Sequence, residues 1–204
     1  MRKIITTTFM TLDGVVQAPG GPQEDTSGGF SSGGWVANYW DEKMGEVMTG
    51  FMSMPFELLL GRKTYDIFAA YWPTATTDAV VANPFNTTKK YVVSHQRFEP
   101  KWKNSFCVTG DVVSEIKKLK EMDGPDLWVH GSSNLIQTLL KNHLIDRMHI
   151  WIYPVTVGSG KRLFGEGARP GGFRLVESRA YSTGVIIATY EPAGELKTGI
   201  AGGQ

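Results

Sequence analysis

The chain is poor in cysteine: Cys107 is the only one among 204 residues, so no internal disulfide can form. A free thiol is compatible with the reducing cytoplasm, where disulfides are rare. The first residues are basic, but three threonines and Asp13 interrupt the apolar core that a signal peptide needs. We therefore expect a cytoplasmic protein.

Long apolar runs and an excess of either charge are also missing. The apolar stretches are short and interrupted, whereas a membrane-spanning helix needs roughly 20 apolar residues. Lys and Arg total 21 against 20 Asp and Glu, and no basic block occurs, which argues against general nucleic-acid binding. The four histidines are scattered, and none has the spacing of a metal site. We expect no membrane, nucleic-acid or metal partner.

What the sequence does contain is an alternation of strand and helix patterns over residues 1–191. β-Branched residues favour a strand at 3–10, and short apolar runs at 56–60, 90–94 and 126–130 are typical of strands buried on both faces. Segments with the helical spacing of apolar residues lie between these strands. The alternation predicts a single α/β domain, in which helices cover both faces of a mostly parallel central sheet.

The C-terminal region departs from this alternation. Residues 173–191 have the pattern of two strands joined at Ser182 to Gly184, which predicts an antiparallel hairpin at the edge of the sheet. Residues 192–204 carry little that could form a core, and we expect a flexible tail there.

A glycine-rich segment, residues 14–34, separates the first strand from the first helix. It contains seven glycines and two prolines, and a loop of this length inside a compact domain is often functional. Trp35 and Trp40 follow it, and their rings could stack on a flat heterocycle or anchor the loop to the core. We interpret the loop of residues 14–36 as a substrate lid that opens and closes, with Trp35 and Trp40 as candidate substrate contacts.

Three predicted strands end in residues suited to phosphate, and ligands of parallel sheets bind beyond such carboxyl ends. One strand runs into Arg62, whose guanidinium matches phosphate geometry, and another into Ser94. The third runs into Gly131 and then a helix, whose N-terminal amides attract anions. Each end alone could be solvated surface or an ordinary helix cap, but the three together favour a dinucleotide with an extra phosphate.

The stretch LLLGRKTYDIF resembles the cofactor-binding segment of dihydrofolate reductases. Over residues 1–191 the chain is similar to the dihydrofolate reductase-like family, which includes the C-terminal reductase domain of the bifunctional riboflavin-biosynthesis deaminase-reductase. MTLDGVV, GRKTY, KYVVS, HGSSNLIQTLL and LIDRMHIWIYPVTVGSGKRLF follow that family's order. The resemblance implies a dihydrofolate reductase-like fold and NADPH as hydride donor. Ser132 departs from the pattern, because many relatives have a second glycine there.

The resemblance also implies roles for individual residues. Arg62 and Thr64 would hold the adenosine phosphate, with Ser94 at the edge of the adenine. The helix start after Gly131 would cradle the diphosphate, and the first strand would approach the nicotinamide. The expected cofactor-binding residues are Thr8, Phe9, Gly61, Arg62, Lys63, Thr64, Ser94, His95, Gly131, Ser132, Ser133, Asn134 and Leu135.

A proton must accompany the hydride, and two carboxylates are candidate catalytic residues. Asp13 lies where the family has the mouth of its active site, although Asp-Gly is also an ordinary turn. Asp41 lies near the carboxylate that classical dihydrofolate reductases carry on their first helix, although an acidic residue at a helix start also suits the helix dipole. The proton donor is therefore Asp13, Asp41 or water.

The resemblance implies a reductase that transfers hydride from NADPH to a pterin-, pyrimidine- or flavin-related heterocycle. The best-known relative reduces a ribosylamino-pyrimidine phosphate, but the present sequence has no deaminase domain. One alternative is an NADP(H)-binding sensor or interaction module without turnover, and another is reduction of a xenobiotic or quinone. Since relatives are often dimers, the strands HIWIYPV and GVIIATYE are candidates for a homodimer interface.

Overall fold

The computed structural model describes residues 1–201. In this part of the chain, eight β-strands form one sheet and five α-helices pack against it. The strands are Ile4–Thr11 (β1), Phe56–Gly61 (β2), Lys90–Val93 (β3), Ser105–Val108 (β4), Asp126–His130 (β5), Arg147–Tyr153 (β6), Phe173–Ala180 (β7) and Ile186–Pro192 (β8). The α-helices are Glu42–Ser53 (α1), Arg62–Tyr71 (α2), Ala79–Thr87 (α3), Val112–Glu121 (α4) and Ser133–Lys141 (α5). Among residues 1–201, no helix has the length and apolarity needed to cross a membrane.

The sheet is parallel over six strands and antiparallel at one end. Its strand order is β4-β3-β2-β5-β1-β6-β8-β7. Neighbouring strands from β4 to β6 run parallel, whereas β8 runs antiparallel to both β6 and β7. The predicted sheet, mostly parallel with a C-terminal antiparallel hairpin, is confirmed.

Strand β2 illustrates why helices cover both faces of the sheet. Leu58, Leu59 and Leu60 are all fully buried, and successive side chains of a strand point to opposite faces. Leu58 and Leu60 belong to a core rich in aromatic rings, which includes residues of α1, α2 and α3. Leu59 belongs to an aliphatic core formed with α4 and α5. The helices on both faces, expected from the continuous apolar strands, are therefore present.

The start of α4 is marked in the sequence by a capping residue, whereas strand β4 has no clear sequence signal. Asp111 is the N-cap of α4, where its carboxylate accepts hydrogen bonds from the amides of Val113 and Ser114 at 3.1 and 3.3 Å. Strand β4 was not predicted. It has only four residues, SFCV, and Phe106 is about half exposed. A strand this short has no recognisable apolar pattern in the sequence.

The segment after β8 starts with paired backbone. The amide of Ala193 donates to the carbonyl of Gly172, and the amide of Gly172 donates to the carbonyl of Gly194. The flexible tail predicted for residues 192–204 remains a prediction, and residues 202–204 lie outside the described part of the chain.

Candidate functional site

The three strand ends that were predicted to bind a cofactor lie side by side. Strands β3, β2 and β5 are consecutive in the sheet and parallel, with Gly61 in register with Val93. Because parallel strands present their carboxyl ends at one edge, Arg62, Ser94 and Gly131 follow three adjacent strand ends. This edge is the position at which ligands bind in sheets of this type.

Ser132 joins two of these ends through its hydroxyl group. The amide of Gly61 donates to Ser132 Oγ at 3.0 Å, and Ser132 Oγ in turn donates to Thr64 Oγ1 at 2.7 Å. A Cβ atom at position 61 would lie only 3.1 Å from the same Oγ. Glycine is therefore the residue that allows this close approach between the end of β2 and the start of α5.

The backbone before α5 turns through two left-handed residues. Gly131 has φ of +67°, and Ser132 has φ of 63° and ψ of 60°. For a non-glycine residue this conformation costs about 1–2 kcal/mol. Ser132 therefore adopts backbone angles that glycine reaches without this cost. Its side chain makes no capping bond to α5, so the first-turn amides of α5 have no side-chain cap from Ser132 and could bind an anion.

Arg62 is held in place at the start of α2. Its Nε donates to both carboxylate oxygens of Asp66, at 2.9 and 3.0 Å. Its guanidinium lies over the ring of Phe98, 3.7 Å from the ring centre. Among residues 1–201, these contacts involve Nε and one face of the guanidinium. The two terminal nitrogens therefore remain available to donate to a phosphate.

The remaining predicted cofactor residues differ in how far they reach this edge. Ser94 is buried, and its hydroxyl donates to the carbonyl of Gln96 at 2.7 Å, so it shapes the turn after β3. His95 and Asn134 are exposed, and Ser133 is half-buried. Leu135 lies in the aliphatic core, so only its backbone can face a ligand.

Strand β1 connects this edge to an aromatic surface. Thr8 is buried, and its Oγ1 has no hydrogen-bond partner within the described residues. The next residue, Phe9, points to the other face and packs against Trp151 and Tyr153, with ring centres 5.2 and 5.6 Å apart. We call Phe9, Trp40, Trp151 and Tyr153 the aromatic cluster.

The two tryptophans predicted to contact substrate have different positions. The ring nitrogen of Trp35 donates to the carbonyl of Gln17 at 2.9 Å, and its ring packs on Tyr153, so Trp35 anchors the lid. Trp40 stacks on Trp151, with ring centres 5.7 Å apart and planes within 7°, yet 43% of Trp40 stays exposed. Trp40 therefore offers an aromatic surface to a ligand, whereas Trp35 fixes the loop.

Four buried polar atoms that sequence reasoning missed lie on the same face as the aromatic cluster. Thr7 Oγ1, His130 Nε2, Trp151 Nε1 and Tyr153 OH have no hydrogen-bond partner among the described residues. Leaving such a group unpaired costs about 1–3 kcal/mol, so each is suited to a polar ligand atom. In the sequence, the only signal for these atoms is the position of His130 and Tyr153 within their strands. Whether the atoms find a hydrogen-bond partner depends on which strands become neighbours.

Three titratable groups on this face, His130, His149 and Tyr153, are neutral near pH 7. Burial lowers the pKa of His130 to about 3 and the pKa of His149 to about 4. Burial also raises the pKa of Tyr153 above its usual value. The face therefore offers neutral donors and acceptors, which suit an uncharged heterocyclic ring.

Both candidate proton donors are engaged as ionised carboxylates. Asp13 accepts from the hydroxyl of Thr11 at 2.5 Å and from the amide of Gly158 at 2.8 Å, and these bonds, with that of Thr11 first, lower its pKa. Asp41 is the N-cap of α1, and its pKa is lowered chiefly by the hydrogen bond from the Met44 amide. Hydrogen bonds to the charged form disfavour the protonated carboxyl that an acid catalyst needs.

No metal site accompanies these residues. Among the residues that the structure describes, no group of three or more His, Cys, Asp or Glu side chains could hold a metal ion.

Comparison with known proteins assigns the chain to a family. A family model described as the RibD C-terminal domain matches residues 2–187. The chain belongs to the RibD C-terminal domain family. This membership confirms the resemblance inferred from GRKTY and the motifs that accompany it.

Individual relatives agree with this assignment. The chain is 29% identical over 192 residues to the uncharacterized protein YyaP of Bacillus subtilis (strain 168), covering 93% of this chain and 94% of YyaP. A candidate riboflavin biosynthesis protein from Shewanella sp. PV-4 is 23% identical with a TM-score of 0.68, covering 93% and 98% of the two chains. Dihydrofolate reductase from Enterococcus faecalis, complexed with NADP(H) and RAB-propyl, is 13% identical with a TM-score of 0.61, covering 94% and 96%. These structures show a shared dihydrofolate reductase-like fold.

Proposed function

We propose that this member of the RibD C-terminal domain family is an NADPH-dependent reductase of a pterin-, pyrimidine- or flavin-related heterocycle. Family membership and the fold support an oxidoreductase of the riboflavin-pathway reductase type. The observation that carries the finer proposal is the hydrogen bond from the Gly61 amide to Ser132 Oγ. This bond places the end of β2, which leads into Arg62, next to the start of α5. The first-turn amides of α5 receive no hydrogen bond from the Ser132 side chain.

The residues at this edge fit a phosphorylated dinucleotide. The first-turn amides of α5 would bind the diphosphate, because a helix N-terminus carries a partial positive charge. Arg62 and Thr64 would bind the adenosine phosphate that distinguishes NADPH from NADH. When bound, NADPH supplies the hydride, and the protein orients it and excludes competing water.

The aromatic cluster and the unpaired polar atoms next to it support a flat heterocyclic substrate. Trp40 has an exposed ring face, and Trp151 Nε1 and Tyr153 OH are buried without partners in the described residues. A ring that carries nitrogen and oxygen atoms can stack on the first and hydrogen-bond the others. Because Asp13 and Asp41 are both held ionised, we propose that water delivers the proton.

A non-catalytic NADP(H)-binding module is the second candidate. The observation that favours it is the engagement of Asp13 and Asp41 in structural hydrogen bonds. Two measurements separate the candidates: quenching of tryptophan fluorescence by NADPH, and loss of reduced-nicotinamide absorbance with pterins, pyrimidines and flavins. Turnover of one of these supports the reductase. Binding without turnover across all three classes supports the module, and absence of NADPH binding rejects both.

We also propose a homodimer. The strands expected at its interface, β6 and β8, each lie between two neighbours in the sheet, so their backbone edges are already paired. Strand β7 is one of the two terminal strands of the sheet, next to β8. All eight of its residues are exposed, and Phe173 and Leu175 are apolar. The interface is therefore proposed at β7. Light scattering during size-exclusion chromatography would show a mass close to twice that of one chain.

A further inference from the structure

Two lysines from distant parts of the chain share one carboxylate of the lid. Lys63 Nζ lies 2.7 Å from Asp25 Oδ1, and Lys161 Nζ lies 2.6 Å from Asp25 Oδ2. Both ammonium groups also donate to Ser27 Oγ, at 2.6 and 2.9 Å. Three elements therefore meet here: the lid, the first turn of α2 and the segment between β6 and β7.

A buried glutamine fixes this arrangement. Gln17 is only 4% exposed, and its Nε2 donates to the carbonyls of Asp25 and Ser27, both at 2.9 Å. Its Oε1 accepts from the amide of Lys161 at 3.1 Å. The two lysines and the lid are thus held by one network of backbone and side-chain bonds, which is more than a chance contact of surface side chains.

The charges in this network do not balance. Two ammonium groups face one carboxylate, so the group of three carries one surplus positive charge. The Asp25 side chain is only 9% exposed, whereas the side chains of Lys63 and Lys161 are 53% and 38% exposed. The carboxylate therefore lies beneath, and the two cations face solvent side by side. Since like charges repel, this pair is suited to a further anion from the solvent side.

The position of the pair relates it to the candidate cofactor site. Lys63 directly precedes Thr64, which receives the hydrogen bond from Ser132. Gly61, the N-cap of α2, has no side chain to cap that helix. An anion bound by Lys63 and Lys161 would thus lie beside the start of α2.

We propose that the ammonium groups of Lys63 and Lys161 form a binding site for a phosphate group. Asp25 and Gln17 position the two lysines from beneath. Two ammonium groups, each with rotatable N–H donors, match the oxygens of a phosphate. Ser27 Oγ accepts from both lysines and donates to Asp25 Oδ1 at 2.7 Å, so it helps to hold them. Lys161 is not among the cofactor-binding residues expected from the sequence. This inference rests on the proposed function only for the identity of the phosphate-bearing ligand, which is either the dinucleotide or a phosphorylated substrate.

The test compares four versions of the protein: wild type, Lys161→Met, Lys161→Arg and the control Lys117→Met, which removes an exposed lysine of α4. Each is titrated calorimetrically with inorganic pyrophosphate, with NADPH, and with ribose 5-phosphate after saturation by NADPH. We expect Lys161→Met to weaken pyrophosphate binding about tenfold, the loss of roughly one charge-assisted contact. Lys161→Arg and Lys117→Met should retain wild-type affinity.

The titrations with NADPH and with ribose 5-phosphate identify the phosphate-bearing ligand. A parallel loss for NADPH assigns the site to the dinucleotide, and a loss confined to ribose 5-phosphate assigns it to a substrate. Equal affinity of Lys161→Met and wild type for all three ligands overturns the site. Circular dichroism checks folding, and Lys63→Met provides the same test from the other element if Lys161→Met does not fold. Wild-type protein that binds pyrophosphate but not NADPH would reject the reductase proposal and leave the phosphate site standing.

Discussion

The hydroxyl of Ser132 lies 3.0 Å from the amide of Gly61 and ties the end of β2 to the start of α5. This bond joins residues that are 71 positions apart in the sequence. It depends on a left-handed serine and on the absence of a side chain at position 61. The candidate cofactor site is therefore built on a strained but defined contact between two elements.

Two substitutions of Ser132 distinguish the effect of its hydrogen bond to Gly61 from the effect of its strained backbone. Ser132→Ala removes the hydroxyl and keeps the strain, so we expect a loss of stability of about 1–2 kcal/mol and weaker NADPH binding. Ser132→Gly also removes the bridge but relieves the strain, by about 1 kcal/mol, so it should be more stable than Ser132→Ala. Urea unfolding and NADPH titration measure both. Equal stability of the two variants would contradict the strain at this residue.

Arg62 should determine the preference for NADPH over NADH. We expect Arg62→Ala to weaken NADPH binding by about 10–100-fold, because a bidentate charge-assisted contact to phosphate is lost, and to leave NADH binding nearly unchanged. Phe98→Leu should change the same ratio to a smaller extent, since the ring positions the guanidinium. Fluorescence titration with the two nucleotides measures this ratio. A proportional loss for both would contradict the role assigned to Arg62.

Trp40 should act on the substrate and not on the cofactor. Trp40→Ala removes the exposed ring that stacks on Trp151, so we expect KM for a heterocyclic substrate to rise about tenfold, within the range for aromatic contacts. Trp40→Phe should retain most of the affinity, and NADPH binding should be unchanged in both. Steady-state kinetics at saturating NADPH provides the measurement. An unchanged KM in Trp40→Ala would remove Trp40 from the substrate site.

The buried histidines should make the protein sensitive to acid. The pKa values of His130 and His149, about 3 and about 4, lie below the ordinary value of 6.5. Between these values the unfolded chain binds more protons than the folded one, so the free energy of unfolding falls as the pH drops from 6.5 towards 4. The slope should approach about 1.4 kcal/mol per pH unit for each histidine.

Substitution identifies the residue responsible for this slope. His130→Gln should reduce the pH dependence of the free energy of unfolding, whereas His95→Gln, at an exposed position, should leave it unchanged. Urea unfolding at a series of pH values from 6.5 to 4 gives the comparison. If His130→Gln and wild type had the same slope, burial of a neutral imidazole at this position would be refuted.

The sequence was informative where function depends on local pattern. The alternation of strand and helix patterns predicted the fold, and GRKTY with its accompanying motifs indicated the family. Contacts between distant segments were not accessible: the unpaired atoms of His130 and Tyr153 depend on which strands become neighbours. The contact of Lys161 with Asp25 spans 136 positions, and no periodicity encodes it. Asp41 shows a third limit, because a helix N-cap and an acid catalyst have the same sequence signature.

The order of strands also sets a length requirement for any ligand that is to serve both halves of the site. The candidate cofactor-binding edge includes the end of β2, and the aromatic cluster includes two residues of β6, three positions further along the sheet. At about 4.8 Å between neighbouring strands, this separation is about 14 Å. We therefore expect a ligand that contacts both Arg62 and Trp151 to span at least this distance, as an elongated molecule with a ring system at each end would.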